Sequence, residues 1–431
     1  MSSLENPLRS LPLHALLESE PDLHRKGYIS GTHRLVAPRE TLARVSRFMP
    51  VIGITRIANV TGLDKIGIPV VMVCRPNSRS VSVSQGKGID LDAAKASGLM
   101  ESIESFHAER ISLPLKLGSY EDLRYSHDLI EVSRLPRHSD SWFTPYARLL
   151  WICGHDLMTD RPLWLPYEMV HLDYTLPLPT GSGCFVPSSN GLASGNHILE
   201  AIGHGISEVI ERDATTLWHL LGEDRRNRTR IDLATVEDRH CRFLLARFET
   251  AGVLVAVWET TSDVGVPAFL CRILEDVAPP LSGYRPSSGM GCHPVREVAL
   301  SRALTEAAQS RLTFISGARD DMSREEYAEF LDLKTYALWR EQMIGPGPGR
   351  SFRDVPSRDG ESLEDDVAWQ LERLRAVGIE QVAVVDLTRP EFGVPVARVV
   401  IPGLEGLDGS PRYRPGARAR AMLSARNGRA P

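Results

Sequence analysis

The chain has 431 residues, 42% of them hydrophobic and 24% charged, with a formal net charge of −5. That is enough for a large buried core in two or three domains, or in one large domain with insertions. The charge excludes a general electrostatic pull toward nucleic acid or an anionic membrane, and no apolar run approaches the roughly 18 residues of a membrane span. Six cysteines are scattered without a C-x-x-C pair, which argues against a zinc site. With no signal-peptide pattern at MSSLENPLRS, the chain is expected to be cytoplasmic.

Residues 1–25 read as a weakly helical N-terminal segment. Residues 51–60 and 66–75 (IGIPVVMVCR) read as buried strands, and the alternating SVSVSQ at 80–85 as a third. Gly86-Lys87-Gly88 reads as a turn, after which Asp90 or Asp92 caps a helix near 92–109. Residues 112–180 are rich in Pro, Trp and Tyr, with strands near 148–153 and 163–171. The loop SSNGLASGN (188–196) leads into a helix over about 197–220. Strands at 253–260 and 266–273 follow, then the loop SSGMGCHP (287–294) and a helix near 295–314. Residues 320–360 are charged and then Gly/Pro-rich, as in an insertion or linker. A helix near 361–377 precedes strands at 381–387 and 396–403. From Pro411 to Pro431 there are six Arg and no acid, which reads as a flexible, solvated tail or a partner-binding segment.

The three principal helices share a pattern. Ser97/Glu101/Glu104, His204/Glu208/Glu211 and Arg302/Glu306/Gln309 each stand at i, i+4 and i+7. At about 100° per residue a step of seven returns to the same face. Such a stripe is ordinarily a solvated outer face. Here the flanking positions are poor in Lys and Glu, and the second stripe extends upstream through Glu200 to Asn196. The alternative is that the three stripes face one shared cleft, where crowded carboxylates are tolerated only with cations between them. Gly/Ser-rich loops before each helix offer N–H groups that suit phosphate. The chain has no P-loop, no Rossmann G-x-G-x-x-G, no G-x-S-x-G elbow and no H-E-x-x-H.

GKG at 86–88, SGLMESIE at 97–104, NHILEAIGHGISEVIER at 196–212 and RALTEAAQ at 302–309 stand in the order in which the YcaO family carries its motifs. The chain resembles that family over roughly residues 26–405, with insertions near 112–180 and 320–360 and a tail over 406–431. KGYISGTHR (26–34) and DLTRPEFGVPVARVVIPGLE (386–405) resemble the branch often paired with a TfuA-type partner. The resemblance implies an α/β fold with mixed sheets and three striped helices converging on an ATP/Mg2+ cleft. It implies ATP-dependent phosphorylation of a peptide amide oxygen, followed by attack of a nucleophile at the amide carbon. Glu101, Glu104, Glu200, Glu208 and Glu211 would hold Mg2+. Lys26, Ser97, Asn196, Arg212, Arg302 and Gln309 would contact nucleotide, and Glu101, Glu208, Arg302 and Glu306 would be catalytic.

The substrate would be a precursor peptide or protein, and the chain could be a homodimer. No Pro-x-Pro-x-Pro tail is present, which turns the expectation toward thioamide formation with a TfuA-type partner. The alternatives are an azoline-forming cyclodehydratase and a nucleotide-binding accessory factor for ribosomal-protein methylthiolation.

Overall fold

The structure is a computed structural model that describes residues 24–276, 286–322, 333–345, 347, 349–406 and 413–426. Most of the expected N-terminal segment, residues 323–332 of the expected linker and both ends of the expected tail lie outside them.

A helix α1 (Pro38–Val45) precedes a first antiparallel meander, β1 (Arg56–Asn59), β2 (Val70–Cys74) and β3 (Val83–Lys87), which runs into α2 (Leu91–Glu109). The largest sheet joins distant parts of the chain. It is built from β4 (Leu115–Gly118), β5 (Leu149–Asp156), β6 (Arg161–Pro166) and β7 (Leu192–Ser194), completed by β13 (Ala383–Asp386) and β14 (Val396–Val400). Long α3 (Ile198–His219) follows β7. Between these lie β8 (Ile231–Asp232), which pairs with β12 (Arg350–Ser351) in a short parallel ladder, and α4 (Arg239–Thr250). A second antiparallel meander, β9 (Val253–Glu259), β10 (Ala268–Glu275) and β11 (Ser287–Cys292), runs into α5 (Arg296–Ser316). Helix α6 (Leu363–Ala376) precedes β13, and α7 (Ala417–Arg426) closes the described chain.

Helix and sheet are mixed as expected, but several boundaries moved. SSGMGC, expected as a loop, is strand β11, paired with β10 from Ala268↔Cys292 to Ile273↔Ser287. Gly86 and Lys87, expected in a turn, lie in β3. The expected strand at 51–60 begins at Arg56, after a helical turn over Met49–Ile52. The expected insertion at 112–180 supplies β4, β5 and β6, and its Trp151, Ile152 and Leu165 are fully buried in the main core.

The glycines explain the strand assignments. A Cβ at Gly86 would lie 2.0 Å from Ala94 O and 2.2 Å from Gly98 N, and one at Gly291 would lie 2.1 Å from Ala299 O and 2.6 Å from Ala303 N. Only a residue without a side chain lets α2 and α5 press this closely onto β3 and β11. These glycines serve helix-on-strand packing, while Lys87, Gly88 and Met290 of the same segments line the cleft described below.

The same numbers expose a repeat. Gly86 meets α2 as Gly291 meets α5, at the fourth and eighth helical residues. The residue before each glycine sits in register with the preceding strand, Met72↔Gln85 and Leu270↔Met290. β1-β2-β3-α2 and β9-β10-β11-α5 are therefore two copies of one β-β-β-α unit. Glu101 corresponds to Glu306, Ser97 to Arg302, Glu104 to Gln309 and Lys87 to Cys292.

Candidate active site

The three stripes meet. A cleft of about 900 Å³ is lined by Ser97, Glu101 and Glu104 of α2; Glu200, Glu208, Glu211 and Arg212 of α3; and Arg302, Glu306 and Gln309 of α5, with Asn196 and Lys87 beside them. The opposite faces of the helices supply the reason. Leu99 and Ile103, Ile206 and Ile210, and Leu300 and Leu304 are all fully buried. Burying those apolar faces in three separate core clusters leaves the polar stripes on the sides that line the cleft.

Glu306, Glu208 and Glu104 each have their own set of donors. Lys87 Nζ donates to Glu306 Oε2 at 2.5 Å, and Met290 N donates to Glu306 Oε1 at 3.1 Å. Gly191 N donates to Glu208 Oε2 at 3.0 Å, and Arg212 lies 3.5 Å from Glu208 Oε1. The backbone and hydroxyl of Ser194 both donate to Glu104 Oε1. The side chains of Glu208 and Glu306 keep 22% of their surface open, so a solute in the cleft can reach them.

Charge crowding shows in the proton affinities. Burial pushes the Glu101 carboxyl up to about 7 against the pull of Lys87 and Arg319, and Glu208 adds to the rise. Burial pushes Glu104 up to about 8, with Glu101 and Glu208 adding to the shift and the Ser194 bonds opposing it. Glu211 rises to about 7, again through burial first. For Glu306 burial acts in the same sense but is outweighed by Lys87 and Arg212, which hold its carboxyl below the ordinary value. Carboxyls in this state take up either protons or hard cations. The donor set therefore fits Mg2+, and Lys87, Arg212 and Arg302 supply the positive charge that a phosphate chain needs.

Not every expected residue is free for such a ligand. Glu200 lines the cleft, but Arg34 Nη1 and Leu35 N each donate to it at 3.1 Å. Asn196 Oδ1 accepts from Thr41 Oγ1 and Arg44 Nη2, both at 2.9 Å. This pair fastens residues 34–44 to the start of α3. Lys26 is not among the cleft residues. Its ammonium is buried against Asp366, 2.9 Å from Oδ2, which removes it from the expected nucleotide contacts. The sequence reading gave no role to Arg34 or to Arg319, which lines the cleft near Glu101. Arg34 lay inside the stretch 26–34 already singled out. Arg319 follows the helix end at Gly317, where no periodicity marks a residue.

Residues 85–405 match the family model described as YcaO cyclodehydratase, ATP- and Mg2+-binding. A protein of Rhizobium leguminosarum bv. trifolii, described as an uncharacterized protein in a tfuA 3' region, is 37% identical over 380 residues, covering 86% of this chain and 88% of its own length. An uncharacterized protein of Methanothermobacter thermautotrophicus is 36% identical over 400 residues, covering 90% of this chain and 99% of its own. Among solved structures, YcaO from Methanopyrus kandleri bound with AMPPCP and Mg2+ shares the fold with a TM-score of 0.70 at 23% identity, over 91% of this chain and all of that one. A heterocyclase in complex with substrate and cofactor shares it with a TM-score of 0.75 at 23% identity, over 91% of this chain and 55% of that one.

Proposed function

The chain belongs to the YcaO family of ATP- and Mg2+-binding proteins, and from that premise we propose that it exchanges the oxygen of a peptide backbone amide for sulfur, working with a TfuA-type partner. The observation that carries the amide-activating part is the convergence of three carboxylate-bearing stripes and five cationic side chains on one cleft. ATP with Mg2+, when bound, supplies the phosphoryl group that turns an amide oxygen into a leaving group.

The chain's own residues do the rest. Glu101, Glu104, Glu208 and Glu211 hold the divalent cations. Lys87 keeps Glu306 ionised and fixed. Arg212 and Arg302 balance phosphate charge, and Ser97 and Gln309 complete the nucleotide side. Glu200 and Asn196 act one step back, by holding residues 34–44 over α3.

Two observations support sulfur over ring closure. A relative covering most of this chain is named for its place in a tfuA 3' region. The second is the resemblance of residues 26–34 and 386–405 to members paired with a TfuA-type partner. The second reading is an azoline-forming cyclodehydratase, favoured by the family description and by the fold shared with a heterocyclase.

Mass spectrometry separates them. A peptide substrate incubated with ATP, Mg2+, sulfide and the partner should gain about 16 Da, whereas cyclodehydration removes about 18 Da, because the same activated oxygen leaves in both. Loss of water without gain of sulfur overturns the thioamide reading.

A further inference from the structure

Arg398 of β14 is a fully buried cation with little to hold it. Its Nη2 donates to Ser188 O at 2.6 Å, while Nε and Nη1 are buried and make no hydrogen bond among the described residues. Burial pushes its guanidinium down to about 10, and Tyr174 and Glu208, both in the cleft wall, pull the other way. A buried charge so thinly bonded weakens a fold, so its presence calls for a reason other than stability.

The strand register shows where it lies. Arg398 stands opposite Leu192 in the β14–β7 ladder, so the two side chains share one face of the sheet. Leu192, Ser188 and Ser189 line the cleft and Arg398 does not. The guanidinium therefore sits behind that wall. There it joins a second grip. Val399 N donates to Gly191 O at 2.7 Å. Gly191, at φ +80°, packs so tightly that a Cβ there would lie 2.2 Å from Val399 O. β14 thus clasps both ends of the segment 188–191, Ser188 through a side chain and Gly191 through the backbone. The same Gly191 donates its N–H to Glu208 Oε2 at 3.0 Å.

We propose that Arg398 is a positioning residue for Glu208. From behind the cleft wall it fixes the segment 188–191, and through the Gly191 N–H it holds the Glu208 carboxylate ready for a divalent cation. Its charge also offsets the carboxylate crowding on the far side of the wall. The inference rests on the reading of Glu208 as a Mg2+ ligand.

The test uses the full-length protein. Arg398→Met keeps much of the side chain's bulk and removes both the bond and the charge. Calorimetry with a non-hydrolysable ATP analogue should show Mg2+ binding about tenfold weaker, as expected when a hydrogen bond from a charged group is lost. The Tm should be unchanged or raised, because an apolar side chain suits that site better than a lone charge. An arginine kept only for structure gives the reverse, a lower Tm with Mg2+ affinity unmoved, and that result overturns the proposal. Arg398→Lys restores the charge without the fork and should lose only about threefold in Mg2+ affinity. It carries the test where Arg398→Met does not fold, and failure of both variants to fold makes Arg398 a scaffold residue and overturns the proposal as well. In a Glu208→Gln background Arg398→Met should weaken Mg2+ binding no further, whereas a second full loss places its action elsewhere and refutes the coupling. If Glu208→Gln alone leaves Mg2+ binding unchanged, the reading of Glu208 as a ligand fails instead.

Discussion

Glu104 makes the sharpest case for a residue kept for function at a cost to the fold. Its carboxyl is pushed up to about 8, by burial first and then by Glu101 and Glu208, yet Ser194 holds it with two bonds. Glu104→Gln keeps the accepting oxygen and removes the ability to ionise beside a bound cation. The variant should be as stable as the parent or up to about 1 kcal/mol more so, while the Mg2+ concentration for half-maximal ATP turnover rises at least about tenfold. Thermal unfolding and an Mg2+ titration check both halves. A variant that unfolds early with its Mg2+ requirement unmoved would make Glu104 a scaffold residue.

At this scale the sequence was legible where spacing alone places a side chain. Every Glu of the three stripes lines the cleft. Spacing could not say which of them a neighbour had already engaged. Glu200 and Asn196 are held by Arg34, Leu35, Thr41 and Arg44, which lie over 150 residues away in the chain.

Among the elements, the three striped helices were readable, whereas helices α1 and α4 and strands β4, β7, β8, β11 and β12 were not. Helix α3 spans Ile198–His219 against an expected 197–220, because long apolar periodicity is a strong signal. β11 carries Ser, Gly, Met and Cys, residues with little intrinsic preference for strands, and reads as a loop until α5 is laid on it. That packing makes a prediction. Gly86→Ala places a methyl 2.0 Å from Ala94 O. The backbone cannot yield cheaply, so urea unfolding should show a loss of about 3 kcal/mol or more. A near-neutral result would mean that α2 does not press on β3.

The C-terminal helix revises a second element. The tail was expected to be either flexible or partner-binding; within its described residues Arg418 donates to both oxygens of Asp213, whose side chain is fully buried. Glu405 accepts from Tyr413 Oη, Gly416 N and Ala419 N. An arginine-rich composition shows charge but not the buried partner that waits for it. Arg418→Met would strand a buried carboxylate one residue from Arg212, at a cost of about 3–5 kcal/mol. Adding Asp213→Asn should recover part of that loss in thermal unfolding. Full stability of the single variant would show that the helix rests on the body without bracing it.

For the molecule as a whole, the crowded cleft sets how stability depends on pH. Glu101, Glu104 and Glu211 titrate at about 7, 8 and 7 in the fold, above the ordinary carboxyl value that they regain on unfolding. The folded state thus binds more protons between those values. The stabilisation is complete below the ordinary carboxyl pKa and is lost as pH rises through the folded values. The Tm of the metal-free protein should fall from about pH 6 to about pH 9, and Mg2+ with ATP should flatten the slope by replacing protons as counter-charge. A Tm that climbs over that range would contradict the crowding.

The duplicated β-β-β-α unit was invisible in the sequence because it lives in strand register and in which glycine meets which helical turn. Its two copies both line the cleft, and their matched positions have diverged. Ser97 has Arg302 as its counterpart, Glu104 has Gln309, and Lys87 has no cationic twin, since Cys292 stands in its place. Like halves with like residues would form a pocket that reads the same in both directions. Like halves with unlike residues give it a head and a tail, so an elongated ligand can lie in it one way round, and whatever must react at one end is always delivered to the same wall.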